Sequence, residues 1–249
     1  MSLDRVIAVR NTKTVYRDDD KCVKVFESDF TKADILSEAL NHSRVEQTGL
    51  NIPKLLEVTT VDGKWSIVTE YVKGKTIARL MDENPNKKDE YMDMLIRLQL
   101  EVLSKHATHL DRFKDKLTRR ISLSDLSATA RWDLYNQLEE MPKQECLCHG
   151  DFNPTNVIID EDGVPYIIDW SQASSGNIAA DAAHTYLYFR LRDEDDMAAK
   201  YLERFCQRSG EDPDQVKKWI AIAAASQSIS VNSKQRDFLL TLAENEDFD

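Results

Sequence analysis

Glycine and proline are scarce, seven and six in 249 residues, which excludes a collagen-like chain and leaves no tract for a flexible linker. No run of about 18 apolar residues occurs, and the N-terminal Met-Ser-Leu-Asp-Arg-Val has no apolar core. Neither a membrane-spanning helix nor a secretory leader is expected, so the sequence reads as a soluble, cytoplasmic protein with no membrane partner. Cysteine is limited to Cys22, Cys146, Cys148 and Cys206, too few in a chain of this length for a disulfide framework. Positive charge is in deficit, with 33 Lys and Arg against 44 Asp and Glu and a formal net charge of −11. With no long Lys/Arg run, such a surface repels phosphate backbones, and nucleic acid is not an expected partner.

What is present suits a globular fold: 41% hydrophobic, 8% aromatic and 31% charged residues, at a size that allows one large domain or two lobes. Residues 6–10, 14–17 and 21–26 are short β-branched or alternating runs separated by polar turns, and 54–60 and 65–71 flank Asp62-Gly63, a hairpin signal. Between them Asp29 or Thr31 can cap a helix whose apolar stripe is Ile35, Leu36, Ala39, Leu40 and Val45, stopping at Gly49. Residues 1–72 therefore predict a sheet of about five strands with one helix on it. From Thr76 the period becomes helical, with helices over 87–104, 127–141, 178–192, 193–208, 213–225 and 231–243. The prediction is an α+β protein, with a β-rich N-terminal lobe over 1–72 and a mainly α-helical lobe over 73–249.

The chemistry concentrates in His149-Gly150-Asp151-Phe152-Asn153-Pro154-Thr155-Asn156, followed by two short apolar runs around an acidic Gly turn and then Ile168-Asp169-Trp170. Asp151, Asn156 and Asp169 can converge at one end of that hairpin. Carboxylate and amide oxygens are hard ligands suited to Mg²⁺, which takes one or two protein ligands plus phosphate oxygens. Cys146-Leu-Cys148-His149 is a weaker motif, because one spacer is shorter than zinc spacing and no second ligand pair follows; it reads as a short strand.

The run His-Gly-Asp-x-x-Pro-x-Asn, then Ile-Asp-Trp, resembles the aminoglycoside phosphotransferase and choline kinase family, which shares its bilobal fold with the protein kinases. Asn156 follows Asp151 by five residues, the interval of the kinase catalytic loop, with Gly150 in place of Arg. The five fixed positions of the first run coincide by chance at about one start in a few million. The resemblance covers about 15–190 and implies an upstream Lys–Glu pair, met by Lys24 inside Cys22-Val23-Lys24-Val25-Phe26 and by Glu38 on the following helix, with Asp34 its nearest rival. It further implies that adenine is held by main-chain groups of a hinge strand, here the Glu70 carbonyl and the Val72 amide, with Thr69 as gatekeeper. In Gly176-Asn177-Ile178-Ala179-Ala180-Asp181 the last Asp would anchor the catalytic loop, while Asn177 and Ile178 depart from the family's Gly-Asp-Pro.

The reaction so implied transfers the γ-phosphoryl group of ATP or GTP to a small-molecule hydroxyl. Asp151 would accept or orient the hydroxyl proton, Asn156 and Asp169 would hold Mg²⁺, Lys24 would bind α/β-phosphate oxygens and Glu38 would fix Lys24. His149 reads as a scaffold residue, and Asn153 occupies the position of the kinase catalytic-loop lysine. Two alternatives compete. A protein kinase is disfavoured because residues 10–15 contain no Gly where G-x-G-x-x-G belongs, Ser171 replaces the Gly of Asp-Phe-Gly and no Ala-Pro-Glu follows. A silent nucleotide-binding module is disfavoured because every site position is filled. Gly74-Lys75-Thr76 lacks the earlier Gly of a Walker loop and reads as a turn and helix cap.

Several residues carry plainer expectations. His106 and His109 would share one helix face, and Trp132, Tyr135 and Leu138 would be core. Residues 181–249 hold 14 acidic and 9 basic side chains. Carboxylates such as Asp193, Glu194, Asp195 and Asp196 would favour a cationic acceptor, an aminoglycoside, choline or another amino-alcohol or sugar, if they lined the acceptor pocket; charge runs more often face solvent.

Overall fold

The computed structural model describes residues 5–10 and 13–244. Asn11 and Thr12 of the first polar turn, and the acidic tail beyond Glu244, lie outside the described residues. The chain divides into two compact units that are discontinuous in sequence: Met1–Lys88, Ala107–His109 and Pro154–Ala173 form the first, and Asp89–His106, Leu110–Asn153 and Ser174–Asp249 the second. The first unit thus extends beyond residue 72, taking in 73–88 and the hairpin that ends in Asp169.

In the first unit, β1 (Arg5–Arg10), β2 (Lys13–Asp18), β3 (Lys21–Phe26), β4 (Leu55–Val61) and β5 (Lys64–Glu70) form an antiparallel sheet of order β1-β2-β3-β5-β4. The β4–β5 hairpin turns through Asp62 and Gly63, both at positive φ (50° and 78°), as the Asp-Gly signal requires. Helix α1 (Lys32–Glu46) starts at a capping box in which Thr31 and Asp34 bond each other's backbone amides. It packs Ile35 and Ala39 on Phe26 and Ile67 of the sheet. The expected stripe is only half right, for Leu36 and Leu40 are 44% and 49% exposed while Asn41 and His42 are buried. The His42 ring is accommodated by the bond of its Nε2 to the Pro53 carbonyl at 2.7 Å, so hydrophobicity alone misplaces the buried face by part of a turn. A second sheet of order β6-β8-β9 joins β6 (Gly74–Thr76), β8 (Val157–Asp160) and β9 (Pro165–Ile167). Gly74 is required there, since a Cβ would lie 2.1 Å from the Ile159 carbonyl oxygen. Thr76 then caps α2 (Ile77–Glu83), its hydroxyl accepting from the Arg79 amide.

The second unit is mainly helical: α3 (Lys88–Leu103, whose first residue belongs to the first unit), α4 (Phe113–Ser122), α5 (Ala128–Glu140), α6 (Ile178–Arg190), α7 (Asp195–Ser209), α8 (Pro213–Ser228) and α9 (Ser233–Glu244), with a two-stranded pairing of β7 (Cys146–Cys148) and β10 (Ser174–Gly176). Helix α8 is the centre of this core, with Trp219 through Ala225 buried. Helix α4 escaped the sequence reading. Trp132 is 64% exposed, correcting its assignment to the core, whereas Leu138, six residues further along α5, is buried. His106 and His109 share no helix face, because the chain leaves α3 at Leu103 and His109 adopts φ 66°. Among the described residues, no helix is long and apolar enough to cross a membrane.

Candidate active site

Alternation along β3 places Cys22 and Lys24 on one face and Val23 and Val25 on the other, where they cluster with Val68 of the neighbouring β5. A buried lysine requires compensation, and Lys24 has two partners: Nζ lies 2.5 Å from Glu38 Oε1 and 3.1 Å from Asp169 Oδ1. Burial pushes the Lys24 pKa down, but Asp169 and then Glu38 outweigh it and hold the ammonium above its ordinary value. Asp34 is excluded as the partner because it is engaged in the capping box with Thr31.

Asp169 is brought to Lys24 by the β8–β9 hairpin. The Ile168 amide donates to the Asn156 carbonyl at 2.9 Å, closing the hairpin so that Asn156 and Asp169 both line the cavity that holds Lys24 and Glu38. Asp169 sits at φ 64° and ψ 62°, a left-handed conformation that costs a non-glycine residue energy and marks functional positions. Its Oδ2 accepts from Lys13 Nζ at 2.9 Å. Burial alone would raise the Asp169 pKa; Lys24 and Lys13 reverse this and hold the carboxyl well below the usual range.

The cavity has a volume of about 520 Å³. Thr69, Glu70 and Val72 line it, and the Glu70 carbonyl accepts from the Thr69 hydroxyl at 3.2 Å, which leaves it a second lone pair. A larger groove of about 1180 Å³ beside α5 and α8 contains none of the candidate residues.

Asp151 lies in the second unit. Gly150 before it adopts φ 77°, a reason for glycine where the kinase pattern has Arg. The Gly150 amide donates to Asp181 Oδ1 at 2.7 Å, and Asp181 Oδ2 accepts from Gln99 Nε2 at 3.0 Å. Gln99 also donates to the Thr185 hydroxyl, which donates to the Phe152 carbonyl at 2.7 Å, and the Tyr201 hydroxyl donates to Gln99 Oε1 at 2.6 Å. Burial raises the Asp181 pKa against these bonds. Asn153 Nδ2 donates to both the Asp151 carbonyl and Oδ1 at 3.0 Å, so in the structure it orients the candidate base. His149 is fully buried, edge-on to Phe152 at 5.6 Å, and its Nδ1 accepts from the Asp151 amide at 3.3 Å, as a scaffold residue does. Asn177 caps α6 by accepting from the Ala179 and Ala180 amides, a packing reason for its departure from the family pattern.

Lys13, Gln99, Thr185 and Tyr201 were missed in the sequence. Lys13 was recoverable: β2–β3 pairing sets Val15 opposite Lys24 and Lys13 opposite Phe26, so two-residue alternation puts Lys13 on the Lys24 face. The other three leave no linear motif. The run at Asp193–Asp196 is at the surface, with Asp193, Asp195 and Asp196 exposed and Asp195 paired to Arg190 at 2.8 Å.

The profile of the phosphotransferase enzyme family matches residues 7–219. The chain belongs to that family. It is a small-molecule phosphotransferase with the kinase-like fold the sequence predicted. No curated protein matches the chain in sequence. Among solved structures, a thermostable mutant of aminoglycoside phosphotransferase APH(4)-Ia is 13% identical, with a TM-score of 0.71 over 96% of this chain and 92% of that one. Another form of that mutant, solved as a ternary complex with ADP and hygromycin B, is 12% identical, with a TM-score of 0.71 over 96% and 91%. Choline kinase LicA from Streptococcus pneumoniae is 16% identical, with a TM-score of 0.66 over 98% and 92%. At such identities these likenesses establish the fold.

Proposed function

We propose that the protein transfers the γ-phosphoryl group of ATP to a hydroxyl of a small, cationic acceptor in the cytoplasm. The observation that carries this reading is the Lys24–Glu38–Asp169 cluster, assembled from three separate elements in one cavity with Asn156. Residues 1–72 supply the nucleotide-binding part: Lys24 binds α/β-phosphate oxygens, Glu38 fixes it, and the Glu70 carbonyl and Val72 amide hold the adenine edge. Residues 73–249 supply the catalytic and acceptor-binding part. GTP offers the same phosphates and is the alternative donor.

Asn156 and Asp169 provide an amide and a carboxylate oxygen, a hard donor set that fits Mg²⁺ completed by phosphate oxygens. Among the described residues no group of three or more His, Cys, Asp or Glu could hold a metal. When bound, Mg²⁺ neutralises charge on the transferring phosphoryl group. Asp151 receives the hydroxyl proton of the acceptor, with Asn153 fixing its carboxylate. The cationic acceptor rests on the hygromycin B and the choline kinase named for the structural neighbours, since Asp193, Asp195 and Asp196 of the carboxylate surplus over 181–249 are exposed at the surface. The charge of −11 opposes nucleic acid in that role.

Thermal melting with ATP or GTP, with and without Mg²⁺, tests the nucleotide site. The expected result is a Mg²⁺-dependent rise in Tm; no rise with either nucleotide at millimolar concentration sinks the reading. Nucleotide consumption against aminoglycosides, choline, ethanolamine, sugars and amino-alcohols then identifies the acceptor.

A further inference from the structure

Asp169 divides its two oxygens between two lysines, Oδ1 to Lys24 and Oδ2 to Lys13, at 3.1 and 2.9 Å. The two cations differ in how firmly they are tied. Lys24 also holds Glu38 at 2.5 Å and stands in the middle of β3, between β2 and β5. Lys13 is the first residue of β2, and among the described residues Asp169 is its one ion-pair partner. Both side chains line the same cavity, and their register on the sheet sets them on one face.

The charges there balance, two ammoniums against the Glu38 and Asp169 carboxylates. A nucleoside triphosphate with one divalent cation would add a net charge of about −2, and Asp169, in holding that metal, would give up an oxygen to it. The less constrained lysine is then the one that loses its partner beside the incoming phosphates. We propose that Lys13 is a second phosphate-binding lysine, which exchanges Asp169 for the β/γ-phosphate oxygens of the nucleotide. This rests on the nucleotide-site reading above. It also accounts for the missing glycines between the first strands: where protein kinases cover the phosphates with backbone amides of a Gly-rich loop, this chain places a side-chain cation at the same turn.

The test is calorimetric titration of the full chain with adenosine, AMP, ADP and ATP, each with and without Mg²⁺, for the wild type, Lys13→Met and Lys13→Arg. Lys13→Met is expected to weaken Mg²⁺-ADP and Mg²⁺-ATP by about tenfold or more, with adenosine unchanged and Lys13→Arg within about threefold of wild type. Equal weakening across the series, adenosine included, would mean that Lys13 only shapes the cavity and would overturn the proposal. Unchanged or tighter ATP binding would overturn it too, the latter making Lys13 a competitor for Asp169. If Lys13→Met does not fold, as judged by melting, the charge-retaining Lys13→Arg decides: it must bind ATP like wild type, and a loss of ATP with adenosine intact counts against a simple charge role. A wild type that binds no nucleotide would instead sink the nucleotide-site reading itself.

Discussion

The two units hold their key polar groups in opposite ways. In the first, Lys13, Lys24, Glu38 and Asp169 are held by opposite charge, in ion pairs of 2.5–3.1 Å. In the second, Asp181, Gln99, Thr185 and Tyr201 form a buried hydrogen-bonded chain that ends on backbone groups of the candidate catalytic loop, the Gly150 amide and the Phe152 carbonyl. Ion pairs that exchange partners suit a site that takes up and releases a charged ligand. Directional bonds to backbone suit a loop whose geometry must not change, since a displacement of about 1 Å can cost a hundredfold in rate.

The contrast breaks most visibly at Lys24. Lys24→Met should leave Glu38 without its counter-charge and Asp169 with Lys13 alone, costing about 3 kcal/mol in stability and about a hundredfold or more in ATP affinity, read by melting and titration. Next is the pH response of the second unit. Burial, with Arg120 and Lys116 nearby, pushes the His184 pKa from 6.5 down to about 3. The unfolded chain therefore binds the extra proton first as pH falls below about 6.5, and stability is lost progressively toward pH 3. A Tm series from pH 7 to 4 should show that slope, of order a few kcal/mol in all, and His184→Phe should flatten it. Asp181→Asn replaces an acceptor oxygen or reverses a bond, at about 1–3 kcal/mol. It should lower kcat while ATP affinity stays close to wild type; equal loss of both would erase the distinction between the two regions. Tyr201→Phe removes the outermost bond of the network and should cost about 1 kcal/mol in denaturant unfolding.

The fold was largely legible in the sequence because its signals are local. Alternation gave β3 and β5, Asp62-Gly63 gave the hairpin, and Ser127 and Pro142 bracket α5. The Lys24–Glu38 pairing was legible as well, as an implication of the family resemblance that a lysine within an apolar strand, which demands a counter-charge, supports. What escaped was set by tertiary packing. Leu36 and Trp132 have the spacing of core residues but face solvent, and Gln99 meets Asp181 across 82 residues of sequence. No periodicity encodes a buried network assembled from α3, α6 and α7.

The central claim is that Asp151 serves the transfer step while the Lys24 cluster serves the nucleotide. Its most direct test is Asp151→Asn, assayed for turnover with the acceptor found by screening and for ATP affinity by titration. Turnover should fall by a factor of about 10²–10⁴ with nucleotide affinity nearly intact. Wild-type turnover in that variant would contradict the account.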